Sequence, residues 1–212
     1  MSGGSLSIAE NGRTTASSDF FTVTGAGNEQ AYLGGDGSGD VQIGSLDPSV
    51  TLVSFYNAGN NTYMDATVAT LTIVGGADLA EPFAISEQDI PEGAVVIIDE
   101  EHRGQLKQSA EPYDTRVAGV ISGANGIQPG ISLRQKGLND AGRNVALSGR
   151  VYVLADAGSG AIKPGDLLTT SPTPGHAMKV TDHARGRGAI LGKAMSPLPE
   201  GKGMVLVLVT LQ

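Results

Sequence analysis

The residues best suited to chemistry are few and scattered. The chain has three histidines, His102, His176 and His183. A zinc site needs two or more such ligands at close hairpin or helical spacing, and the separation of His176 from His183 does not supply it. His102 falls in Asp99-Glu-Glu-His-Arg-Gly104, which reads as an exposed charged turn, and His176 follows the turn residues Pro174-Gly175. Ser171, His176 and Asp182 have the residue types of a nucleophilic triad. No Gly-x-Ser-x-Gly elbow surrounds Ser171, however, and triads are set by geometry rather than spacing. Glu100-Glu101, and Asp89 with Glu92, are carboxylate pairs of the kind used in acid–base hydrolysis. On polar loops with little aromatic platform they read as solvated. Gly34-Gly-Asp-Gly-Ser-Gly-Asp40 is similar to the calcium-binding nonapeptide of parallel β-rolls, with Asp36 and Asp40 as its carboxylates. It occurs once, with Asp40 one place late, so a Gly-rich turn is the better reading. Gly123-Ala-Asn-Gly126 and Gly158-Ser-Gly-Ala161 lack the Lys and Ser/Thr that close a phosphate loop. The sequence therefore assigns no catalytic, metal or cofactor residue, and a non-enzymatic protein without cofactor is expected.

Composition points the same way. The 212 residues include 31 Gly, no Trp and no Cys, and only 17% are charged. Glycine at that level without a collagen triplet predicts many tight turns between short strands. A net charge of −8 disfavours nucleic acid and anionic membranes as partners, since both need a positive field. Without Cys there are no disulfides and no thiol nucleophile. No run reaches the roughly 18 apolar residues of a membrane span. The start, Met1-Ser-Gly-Gly-Ser-Leu-Ser-Ile8, lacks the basic and apolar segments of a secretory signal. A protein working outside the cell would then leave by lysis or a dedicated route, or this chain is a fragment.

The elements that must position these residues are strands. Residues 1–76 carry short apolar pieces, Leu6–Ile8, Phe20–Val23, Ala31–Leu33, Val41–Ile43, Thr51–Tyr56, Thr62–Met64 and Val68–Val74, parted by Gly, Asn, Asp and Ser. Several alternate polar and apolar, as half-buried strands do. Pieces this short close little core within one chain, so an oligomeric stem is predicted, with Ile43 and Leu71 facing a symmetry axis. A small monomeric β-sandwich with long loops is the alternative. Residues 1–81 hold nine acidic residues and one basic residue, Arg13. The rest of the chain is balanced, and this shift places a boundary near Gly75-Gly76.

From Ala77 onward the strands are longer: Ala94–Asp99, Val117–Ser122, Asn144–Leu154, Asp166–Ser171, Gly188–Ala194 and Met204–Leu211. The last is too apolar for an exposed edge and should be central or at an interface. Short helices are possible at Ser86–Ile90 and Leu138–Gly142. The stretch Ile162–Val180 has hairpin grammar, since Pro presets a turn and Gly accepts positive φ. It also parallels an earlier one. Ile90-Pro-Glu-Gly-Ala-Val-Val-Ile-Ile-Asp99 matches Ile162-Lys-Pro-Gly-Asp-Leu-Leu-Thr-Thr-Ser171, with a one-residue slip in the turn. Each is followed by a second apolar strand, Val117–Ser122 and Ala189–Ala194. A duplicated hairpin unit is predicted, with His176 as a turn residue.

Ala77-Asp-Leu-Ala-Glu-Pro-Phe83, Gly93–Asp99, Pro112-Tyr-Asp-Thr-Arg-Val-Ala-Gly-Val-Ile-Ser122, Val145–Tyr152, Gly165–Val180 and Gly188–Lys193 occur in this order. Residues 77–212 thereby resemble a C-terminal domain of phage tail-fibre and related fibre-like proteins. The layout is similar to the chaperone and self-cleaving domain of phage neck-appendage proteins. The resemblance implies a homotrimer in a virion or extracellular appendage, with other fibre or baseplate proteins as further partners. It carries over no self-cleavage residue; a cut would be sought near Gly75–Leu79.

Together these readings predict an all-β protein, with residues 1–76 an intertwined stem and 77–212 a compact β-rich head or cap. It would act as a structural component by self-assembly. One alternative is an adhesin tip binding cell-surface glycan through Tyr56-Asn57 or Asn60-Asn-Thr-Tyr63. The Asn60-Asn-Thr62 glycosylation match reads as chance without a secretory signal. The other alternative is an intramolecular chaperone and autoprotease.

Overall fold

The computed structural model describes residues 20–24, 30–35, 41–45, 55–57, 60, 62–87, 89–134 and 142–211. The protein is all-β, as its turn-rich composition predicts. It packs as two units, residues 1–70 and 71–212. The division falls a few residues ahead of the Gly75-Gly76 shift.

In the first unit, β1 (Phe20–Thr24), β2 (Gln30–Gly35) and β3 (Val41–Ser45) form an antiparallel sheet in the order β1-β2-β3. β4 (Tyr56–Asn57) pairs with β5 (Thr62–Tyr63) as a short hairpin. Leu6–Ile8, Thr51–Ser54, Asp36, Asp40 and Leu138–Gly142 lie wholly or largely outside the described residues. Val68–Val74, expected as a strand, bends at Ala69 and Val74, has no ladder partner among the described residues, and is exposed throughout. An alternating segment has nothing to pair with where no second strand lies alongside.

The second unit holds β6 (Asp78–Phe83), β7 (Val95–Ile98), β8 (Leu106–Gln108), β9 (Val117–Ile121), β10 (Ile131–Ser132), β11 (Arg143–Asp156), β12 (Leu167–Thr170), β13 (Ala177–Lys179), β14 (Ile190–Ala194) and β15 (Lys202–Thr210). Two single 3-10 turns interrupt them, and among the described residues Ser86–Ile90 forms no helix. The main sheet runs β13-β12-β14-β15-β11-β9-β7-β8. A parallel bridge, Ala155↔Ala177, returns β13 to β11 and closes a five-stranded barrel. β15 is central, as its apolarity requires: Val205, Val207 and Val209 point into the core with Val151, Val153, Leu168 and Leu191.

The strand order reads the same from both ends, which is the signature of the duplication. β8-β7-β9-β11 is repeated as β13-β12-β14-β15, and the correspondence extends to individual hydrogen bonds. Gly93 N–H donates to Ile121 C=O and Ile121 N–H to Ala94 C=O; Gly165 N–H donates to Ala194 C=O and Ala194 N–H to Asp166 C=O. Gly93 and Gly165 both sit at left-handed φ (84° and 92°), where a side chain is strained. Ile90 and Ile162 are both buried ahead of them. The entry turns have equal length, so the expected slip is not there. It falls in the next connection, where Asp99–Gln105 is one residue longer than Ser171–His176. Those two turns share a design as well. Asp99 N–H donates to Gln105 C=O as Ser171 N–H does to His176 C=O. The Asp99 and Ser171 side chains each accept the N–H two residues on, from Glu101 at 3.0 Å and Thr173 at 3.1 Å.

Candidate functional site

Ser171, His176 and Asp182 are each held by their own loop. The Ser171 Oγ accepts from Thr173 N–H, His176 Nδ1 lies 2.8 Å from Pro174 C=O, and Asp182 Oδ1 accepts from Ala184 and Arg185 N–H. No hydrogen bond links the three, so they form no relay. Glu92 lies against Gly123, and Asp89 takes a left-handed φ of 61° on the preceding loop. Among the described residues no group of three His, Asp or Glu is placed to hold a metal. The register of the β4–β5 hairpin sets Tyr56 opposite Tyr63 and Asn57 opposite Thr62, bringing together the two stretches considered for glycan.

The strongest polar cluster surrounds a residue that sequence treated only as the end of a strand. Asp99 is buried at the exit of β7, where its backbone continues the strand and its side chain turns back beneath the loop. Its Oδ2 accepts from Ser86 Oγ at 2.5 Å and sits 2.8 Å from His102 Nδ1. Its Oδ1 takes Glu101 N–H and lies 3.2 Å from Lys107 Nζ. The Ser86 hydroxyl, ahead of the Glu101 amide, His102 and Lys107, holds the Asp99 carboxyl far below the ordinary aspartate value against the opposing effect of burial. Every lone-pair direction is then occupied, so the carboxylate is a clamp rather than an acid or base.

Asp114 is built the same way. Arg116 grips it through Nε at 2.9 Å and Nη2 at 2.6 Å, a two-pronged pair that pulls the Asp114 carboxyl down and fits the planar guanidinium. Arg116 also reaches Glu100 at 2.9 Å. Asp114 N–H donates to Thr170 Oγ1, tying the two repeats together. Glu87, Glu100, Lys107, Glu111, Asp114 and Arg116 line a polar cleft of about 390 Å³. Arg116 pairs there with Asp114 and Glu100, and Lys107 with Asp99. Ser86 and Lys107 come from elsewhere in the chain, so local spacing gives no sign of them; the Asp99–Ser171 correspondence is the one usable signal.

Asp78 is the exception. It is 4% exposed, and neither carboxylate oxygen has a hydrogen-bond partner, nor does the nearby Ser122 Oγ. Burial raises the Asp78 carboxyl above its ordinary value. It lies in the stretch where self-cleavage would be sought. That stretch is locked into the sheet: Ala77 N–H donates to Gln128 C=O, and Gly76 is pressed against Gly130.

The lowered carboxyls, Asp99, Asp114, Asp156 and Asp166, set an acid limit. A carboxyl whose folded pKa is depressed stabilises the fold above its unfolded value and loses that contribution as pH falls through the folded one. Asp78 acts oppositely, its penalty being relieved on acidification. With four groups against one, melting temperature should hold at neutral pH and fall below about pH 4. Asp99→Asn should lower the neutral melting point and flatten the acid fall. Thermal unfolding from pH 2 to 7 checks this, and equal acid slopes for variant and native chain would remove Asp99 from the account.

A scan of protein-family models finds no match to this chain, and a search of curated proteins finds none either.

Proposed function

We propose that the chain is a non-enzymatic structural protein that works by self-assembly, as a homotrimeric component of a fibre or appendage. Residues 1–76 would supply the stem and residues 77–212 the cap. The observation that carries this reading is the exposure of the run that follows β5. Met64 and Val68, then Leu71, Ile73 and Val74, all stand in solvent, with Leu71 67% and Val74 93% exposed. Asp65 is the one charge among residues 62–76. Exposed apolar residues at this density mark a surface that is covered in the working state. The same run on another copy meets it with matching length and alternation, which is how identical chains interlock. Ile43 and Phe55, 68% and 57% exposed, are further exposed apolar side chains of the first unit. The three-fold count rests on the likeness to fibre proteins.

Sedimentation or mass photometry at micromolar concentration tests the reading. A species of three times the 21.6 kDa chain mass is expected. A single-chain species would overturn it.

A further inference from the structure

The duplication exposes an unused half of a contact that the chain already makes with itself. The turn Ser171–His176 of the second repeat inserts its tip, Gly175, into the edge of the first repeat. Val95 N–H donates to Gly175 C=O at 2.9 Å, and Gly175 N–H donates to Ser109 C=O at 2.7 Å. Gly175 is buried at a φ of 69°, and a Cβ there would strike Gln108 at 2.4 Å. This is a backbone plug in a backbone slot. Its frame is the bond from Ser109 N–H to Val95 C=O.

The second repeat has the same frame, empty. Val180 N–H donates to Leu167 C=O, the counterpart of the Ser109–Val95 bond. In an antiparallel strand the N–H and C=O of one residue face the same side, so Leu167 N–H also looks toward Val180. Among the described residues no backbone bond joins Leu167 N–H to Val180 C=O, and no third residue bridges them. An open hollow of about 220 Å³ lies at this place, lined by Leu167, Val180, His183, Gly186, Arg187 and Ile190. The first repeat, in turn, carries an unused plug. Gly104 is the counterpart of Gly175, with a φ of 75°, yet it is exposed and a Cβ on it would meet nothing within 4 Å.

We propose that the turn Asp99–Gln105 of one copy plugs the Leu167–Val180 slot of a second copy of this chain. Gly104 then takes the place there that Gly175 takes in the Val95–Ser109 slot. Of the turn's two glutamates Glu100 is held by Arg116, so Glu101, exposed beside His102 and Arg103, is the one to meet His183 and Arg187 at the slot. Asp166 and Lys179, paired at 2.9 Å, replace Ala94 and Gln108 at its border and suit a charged tip better than an apolar one. Plug and slot are different surfaces, so the contact is heterologous and propagates from copy to copy until a ring closes. Three copies close the smallest ring consistent with the trimeric reading, on which this inference rests.

Charge reversal tests it, because Glu101 and Arg187 are exposed and their replacement leaves the core alone. Glu101→Arg or Arg187→Glu alone should raise the concentration for half-assembly at least about tenfold, a change of roughly 1.4 kcal/mol. The doubly substituted full-length chain should recover most of the loss. Melting temperatures of the dissociated chains report that folding is intact. A native trimer whose assembly neither single variant weakens, or which the double variant fails to restore, overturns the plug-and-slot contact alone. A native chain that stays monomeric overturns both this contact and the trimeric reading.

Discussion

Replacing Gly192 by alanine is expected to destabilise the cap by about 3 kcal/mol, the upper range for overpacking a closed core. A Cβ at Gly192 would stand 2.2 Å from Leu208 C=O and 3.0 Å from the Val209 Cα. Both are backbone atoms of β15, so no side chain can swing aside. β14 would have to leave β15, opening the barrel between the strands that carry Leu191 and Val207. The duplicated unit offers a second measurement of the same effect. Gly119 is the counterpart of Gly192, and its Cβ would lie 2.5 Å from Ala146 C=O at a φ of 152°, so Gly119→Ala should cost at least as much. Gly104→Ala is the control: it has a positive φ but open space around it, and about 1 kcal/mol of backbone strain is expected. Urea unfolding reads all three through the midpoint, with the slope unchanged. If Gly192→Ala cost no more than Gly104→Ala, β14 and β15 would not be held at the spacing described.

How far the sequence led depended on whether a feature was local. Strands such as β7, β12 and β15 were legible because their apolar runs and entry glycines are contiguous. The duplication was legible from Ile90–Asp99 and Ile162–Ser171 for the same reason, although the extra residue was assigned to the wrong turn. β6 was not among the expected strands, and its Pro82 gives no strand signal; it pairs with β11, opposite Asn144. Barrel closure was invisible, since it depends on one parallel bridge, Ala155↔Ala177, between residues far apart in the chain. The Asp99 cluster escaped for a related reason. Ser86, His102 and Lys107 mean little singly, and only the fold brings the first and last of them to one carboxylate. Val68–Val74 shows the converse, a strand pattern that forms no strand because a pattern specifies a face and not a partner.

That unpartnered pattern carries the second large effect. Leu71→Asp should abolish trimer formation at concentrations where the native chain is fully assembled, while leaving the cap's own unfolding unchanged. Leu71 is exposed in the single chain, so its loss removes no intrachain packing. In an assembly each copy would forfeit the burial of a leucine, roughly 2 kcal/mol, and would also carry an unpaired carboxylate into an apolar axis. Three copies multiply both terms, which far exceeds the tenfold weakening expected for the exposed charges at the plug. Ile43→Asp, in the first unit, should act in the same direction, because Ile43 too is exposed when the chain is alone. Mass photometry of both variants beside the native chain, with thermal melts of each, separates the two consequences. Normal assembly of both would place these side chains away from any shared axis, and the stem would then need a different source of cohesion.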